Sequence, residues 1–163
     1  MTTFYPHFRP IYLLIGALLW AVLCGEHTAQ AQARYSFSVD GTEVTDSKTG
    51  LIWQRCSAGQ SWSAGTSTCT GTAATYTHEA ALSFAKTQTG WRLPNVKELS
   101  SITDKSRNNP AIDVTAFPAT PANWFWTSTP YAGGASDTWG VYFSNGLVNN
   151  LSRSSTYLVR LVR

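Results

Sequence analysis

The segment Trp91-Arg92-Leu93-Pro94-Asn95-Val96-Lys97-Glu98-Leu99 leaves the chain little choice of path. Pro94 pushes Leu93 towards extended geometry, so the chain arrives as strand or loop. Asn95 then accepts a backbone N–H bond as a helix cap. Glu98, three residues on, reaches back to the Asn95 N–H, a capping box with Asn in place of Ser or Thr. Trp91 and Leu93 before the cap, with Leu99 and Ile102 after it, are apolar anchors that set the corner into a core. This corner positions a helix and carries no chemistry of its own.

The first thirty or so residues read as a secretory leader rather than as structure. Arg9 gives a positive start, Ile11 to Leu23 is apolar, and small residues follow. An A-x-A pattern places cleavage after Ala31 or Ala33, so residues 1–31 are expected to be the signal peptide and 34–163 the mature domain. The apolar run is shorter than the about 20 residues that a membrane span needs. Residues 34–163 contain no other long apolar run, so no transmembrane segment is expected there. An exported protein, periplasmic or extracellular, follows.

Export gives the cysteines a meaning. Of three, Cys24 leaves with the leader, and Cys56 and Cys69 remain as a pair that reads as a disulfide. Closing a loop of that size is credited with roughly 3 kcal/mol by chain-entropy reasoning. The residues inside it are small and polar, so we expect an irregular loop stapled by the bridge.

About 130 mature residues make one domain. Only Arg9 and Glu26 of the charged residues precede the cut, so the net charge of +3 is unchanged. The basic residues are scattered, which argues against a nucleic-acid partner. His78 is the one histidine left, and it falls in a helical turn where a solvated surface position is expected. A Ser-His-Asp or Cys-His arrangement, or a His/Cys metal site, would have to use it, so we expect neither catalysis nor a metal or other cofactor. Asp104, Asp113 and Asp137 follow no compact calcium-loop spacing.

Along the chain, Tyr35 to Val39 reads as a strand. Val44 to Trp53 reads as strand, turn through Lys48-Thr49-Gly50, and returning strand. A helix from Thr77 to Thr87 places Ala81, Phe84 and Ala85 on one face, and the capped helix runs from Val96 to about Asp104. Residues 105–123 form an irregular connection anchored by Ile112 and Phe117. Phe125 to Thr129, Trp139 to Phe143, Leu147 to Leu151 and Tyr157 to Val162 are β-prone, with Asn145-Gly146 as a tight hairpin turn. The order is α+β: a small antiparallel sheet following two helices. Trp53, Trp91 and Trp139 read as core residues, Trp62 as an exposed ring, and Arg160 and Arg163 as makers of structural hydrogen bonds.

These residues, taken in order, carry a likeness. Thr49-Gly50-Leu51-Ile52-Trp53, Arg55-Cys56 with Cys69, and Trp91-Arg92-Leu93-Pro94 with Glu98-Leu99 come first. Phe125-Trp126-Thr127-Ser128-Thr129, Trp139-Gly140-Val141-Tyr142-Phe143 with Gly146, and Val159-Arg160-Leu161-Val162-Arg163 complete it. Together they resemble the DUF1566 family, also called the Lcl C-terminal domain. One departure is Leu161, where the family often has a cysteine. The resemblance implies a C-type lectin-like α+β fold, two helices packed on small antiparallel β-sheets with neighbouring termini, an adhesion or binding role, and surface glycans, including sulfated glycosaminoglycans, or a protein as ligand. Formylglycine-generating-enzyme-type domains look similar, but their cysteines and metal have no counterpart here. Fold likeness alone settles no function.

For binding, the polar residues Tyr131, Ser136, Asp137, Tyr142, Asn145, Asn149, Asn150, Arg153, Ser154 and Tyr157 are the candidates. Rigid rings and short hydrogen-bonding groups of this kind make adaptable recognition surfaces. The expectation is a non-catalytic ligand-binding module. The rivals are an envelope enzyme or enzyme accessory, working around His78, Glu79, Glu98 or Asp104, and a structural component of a surface assembly.

Overall fold

Three short strands, Tyr35–Phe37 (β1), Glu43–Asp46 (β2) and Ile52–Gln54 (β3), form an antiparallel sheet whose centre is the opposed, fully buried pair Val44 and Trp53. β1 stops short of the predicted Val39, because the chain turns at Gly41 with φ of +73°. Asp46 organises the β2–β3 turn. Its carboxylate takes a bidentate pair from Arg34 at 2.9 and 2.8 Å, the Lys48 N–H and the Thr49 hydroxyl. Burial works to raise the Asp46 pKa, and these donors, Arg34 foremost, hold it below the usual carboxylate value.

In this computed structural model residues 1–3 and 33–163 are described. The predicted leader, residues 1–31, therefore lies outside the described residues apart from its first three. Among those described, no helix is long and apolar enough to cross a membrane.

Cys56 and Cys69 are joined. The segment between them is more regular than its composition suggests. Ser61–Ser63 (β4) pairs with Thr68–Thr70 (β5) as a hairpin, with Trp62 directly opposite Cys69. Period-two side-chain placement therefore carries Trp62 to the same side as the buried sulfur, which is why this ring is half-buried and not the exposed one expected. Arg55 lies over it at 3.8 Å from the ring centre.

Thr75–Tyr76 (β6) leads into His78–Thr87 (α1), capped by Thr77, with His78, Ala81 and Ala85 buried. Val96–Ser101 (α2) carries the expected capping box: Asn95 Oδ1 accepts from the Glu98 N–H at 2.9 Å, and Glu98 accepts from the Asn95 N–H at 2.7 Å. α2 ends before Asp104, because Thr103 leaves to bridge Ile112 in the connection. Ile112 and Phe117 anchor that connection, as predicted.

The main sheet is mixed. Trp124–Pro130 (β7), Asp137–Tyr142 (β8) and Leu147–Ser152 (β9) are antiparallel, and Tyr157–Leu158 (β10) lies parallel to β7 and antiparallel to β6. The order is β6-β10-β7-β8-β9. The β8–β9 loop holds four residues instead of a two-residue Asn-Gly turn, because Tyr142 pairs with Leu147. Phe143 goes back into the core instead, and its N–H donates to Asn123 O. Adjacent β7 residues divide the core: Phe125 packs with Leu99, Ile112, Phe117 and Val141, whereas Trp126 packs with Ala81, Ala85, Leu93 and Leu151.

β10 ends at Leu158, well short of the predicted Val162. The remaining residues leave the sheet and thread between β3 and the Trp91–Leu93 corner. Ile52 and Arg163 exchange backbone bonds at 3.0 and 2.9 Å, and Arg92 and Val162 exchange two more at 3.0 Å. Arg160, fully buried, anchors this thread. Its guanidinium donates to Gln54 O at 2.9 Å, to Arg55 O, to the Thr120 hydroxyl at 2.7 Å and to Ser57 Oγ at 3.2 Å. Desolvation pushes its pKa down to about 9.

Arg160→Ala strands these acceptors in the core. At about 1–3 kcal/mol per buried orphan, a loss of at least about 3 kcal/mol is expected in urea unfolding. Arg160→Lys should recover only a minor part, because an ammonium cannot reproduce the planar fork.

Candidate functional site

The ten polar residues predicted for binding do not converge on one surface. Cross-strand register separates those in β8 and β9 by face. Tyr142, stacked on Trp124 at 4.8 Å, shares its side with Asn149. Asp137 and Asn150 lie on the other, where Asn150 Nδ2 donates to Asp137 at 2.9 Å. Tyr131 meets the edge of Trp139 at 5.1 Å, and Trp139 is half-buried instead of belonging to the core. Ser136 lies exposed beside Asp137, and Asn145 caps the β8–β9 loop by accepting from the Leu147 N–H. Tyr157 packs on Trp126 at 4.9 Å. Asn145 lines a small cleft with Lys105, Leu147 and Val148, and Arg153 and Ser154 line a larger one.

That cleft, about 690 Å³, opens at the start of α1 and is lined by Thr77, His78, Glu79, Leu82, Ser128, Pro130, Arg153 and Ser154. His78 is buried at 5 % exposure, which overturns the solvated position expected for it. The reason is local: the β9–β10 turn folds over the α1 start, where Arg153 O accepts the His78 backbone N–H at 3.1 Å, and the ring packs on the edge of Trp126. His78 Nε2 lies 3.0 Å from Thr127 O, so Nε2 carries the proton and donates. Nδ1 is left as an acceptor without a protein partner among the described residues, and it is not sealed from solvent. Burial lowers the His78 pKa, the bond to Thr127 O opposes that, and Arg153 lowers it further. The imidazole is therefore neutral at pH 7, beside a fixed guanidinium whose Nε is held by Asp137 O at 3.1 Å. Such a cleft presents donor and acceptor groups above the apolar surfaces of Leu82 and Pro130.

A second groove, about 570 Å³, runs between the β4–β5 hairpin and the C-terminal end of α1. Trp62, Phe84 and Trp91 line it with Gln54, Gln60, Gln88, Ser61 and Glu43. From the sequence Trp62 reads as an exposed ring, Trp91 as core and Phe84 as part of a helix face; nothing joins them, because they come from separate elements with no shared spacing. The Cys56–Cys69 bridge, once assigned, was the one signal that Trp62 would be held in place.

A family model described as the Lcl C-terminal domain matches residues 42–163. No curated protein and no solved structure matches the chain. The match spans most of the sequence, and the chain belongs to the Lcl C-terminal domain family.

A histidine buried in the neutral form makes folding sensitive to acid. The unfolded state takes up a proton near the ordinary pKa, and the folded state resists it to lower pH. Stability contributed by this site is intact above the unfolded value of about 6.5 and falls as pH drops below it. Urea titrations across this range should show that slope in the wild type and a shallower one in His78→Gln, whose amide can still donate to Thr127 O.

Proposed function

We propose that this member of the Lcl C-terminal domain family is an exported, non-catalytic recognition module that binds a surface glycan or a protein in the envelope or outside it. The observation that carries this reading is the cleft at the α1 start. There Arg153 and Ser154, two of the ten polar candidates, line one cavity with the buried His78, whose Nδ1 has no protein partner among the described residues. The cleft brings a guanidinium, hydroxyls and one acceptor nitrogen over the apolar Leu82 and Pro130, a mixture that suits holding polar groups of a ligand. The disulfide is consistent with export, since such bridges persist in oxidising compartments.

Screening the purified protein on a glycan array and against envelope proteins tests this. Arg153→Ala is expected to weaken the strongest interaction about tenfold or more, ~1.4 kcal/mol. Tyr142→Ala, on a distant sheet face against Trp124, should leave it within about twofold, because residues without shared partners act independently. Binding that survives Arg153→Ala would place the contact elsewhere, and turnover lost in His78→Ala would replace the reading with a catalytic one.

A further inference from the structure

We infer that the groove beside the β4–β5 hairpin is a separate binding site for a neutral, hydroxyl-rich ring, such as a pyranose unit of an uncharged oligosaccharide. The inference rests on the recognition reading only in assuming that the domain has a ligand. Its location and ligand class follow from the groove itself.

Three aromatic rings form the walls, and each is pinned before any ligand arrives. Arg55 lies over Trp62 at 3.8 Å, Arg163 over Trp91 at 4.8 Å, and Tyr76 stacks on Phe84 at 5.0 Å. Rings already fixed in place lose little entropy on binding, and they suit the flat C–H face of a sugar. The hairpin is fixed covalently as well. Trp62 sits opposite Cys69, which is bridged to Cys56 in the lining. Gly59, also in the lining, has φ of +87° and comes so close to Ala74 that an added Cβ would lie 2.7 Å from its backbone nitrogen. Only glycine is tolerated at such an approach.

The polar lining decides the ligand class. Gln54 and Gln88 supply amides that both donate and accept, and Thr42 and Ser61 supply hydroxyls. These match sugar hydroxyls, which also play both roles. Glu43 is the one charged side chain in the lining, and Arg163 Nη2 already holds its carboxylate oxygens at 2.9 and 2.7 Å. Among the described residues no arginine or lysine belongs to the lining, so no cation there faces a sulfate or carboxylate. An anionic chain therefore gains nothing here, unlike at the Arg153 cleft.

Isothermal titration of the oxidised protein with gluco-, galacto- and manno-oligosaccharides, and with heparin oligosaccharides as the anionic counterpart, tests this. At least one neutral series is expected to bind, with affinity changing less than about twofold between about 20 and about 500 mM NaCl, since no unpaired charge is engaged. Gln54→Ala, Gln88→Ala and Trp62→Ala should each weaken it about tenfold or more. The two glutamine variants alter half-buried side chains only, so an unchanged melting temperature shows that they remain folded. Absence of neutral-sugar binding at millimolar concentration overturns the proposal, as does binding that both glutamine variants leave intact. Binding of heparin alone, or loss only in Arg153→Ala, overturns it too while leaving the recognition reading standing. Neutral-sugar binding lost in the groove variants, with no ligand at the Arg153 cleft, would retire that cleft and keep the groove.

Discussion

The architecture depends on a cation buried without a carboxylate. Arg160 has no exposed surface, and its guanidinium is met by two main-chain carbonyls and two hydroxyls. Burying a charge is costly unless it is densely hydrogen-bonded. Here the carbonyl dipoles at the exit of β3 provide that compensation, and the face of Phe117 lies against the remaining side at 4.9 Å. Nε has no partner among the described residues, so the compensation there is incomplete. What the arrangement achieves is a single knot: β3, the segment leading to Cys56, the long connection through Thr120 and the C-terminal thread all end on one side chain.

From that knot the two concavities take their shape. The chain leaving β3 passes Arg55 and Ser57, both tied into the same region, and enters the disulfide hairpin that forms one wall of the aromatic groove. On the opposite side of β7, Trp126 packs against His78 and Tyr157 and donates its indole N–H to Tyr76 O at 2.6 Å. That seats the α1 start, and with it the cleft that holds Arg153. The sites differ in electrostatics as a result. One presents a guanidinium and a neutral imidazole, the other rings and amides with its single carboxylate already matched.

Much of the scaffold was legible from local rules. The capping box at Asn95 and Glu98, the β2–β3 turn, the Thr77-capped helix, and the anchors Ile112 and Phe117 all follow from short-range patterns that no distant contact had to correct. Arg160 was also placed correctly as a structural hydrogen-bonder, because an arginine amid apolar terminal residues has few other uses. The misreadings share a cause. His78, Trp62 and Trp139 were judged by their neighbours in the chain, and their burial is set by residues far along it.

Local chemistry along the chain sets where the helices begin, where the backbone turns, and that two cysteines close a loop, because capping, proline geometry and glycine torsions act within a few residues. Packing of distant segments makes Val159 to Arg163 leave the sheet and run between β3 and Arg92, since nothing nearby in the chain brings the backbone donors on both sides together. It also decided which polar residues would share a cavity. Strand register assigned the C-terminal candidates to different faces, and it is the assembly of separate elements that set Trp62, Phe84 and Trp91 around one groove and His78 beside Arg153 in the other.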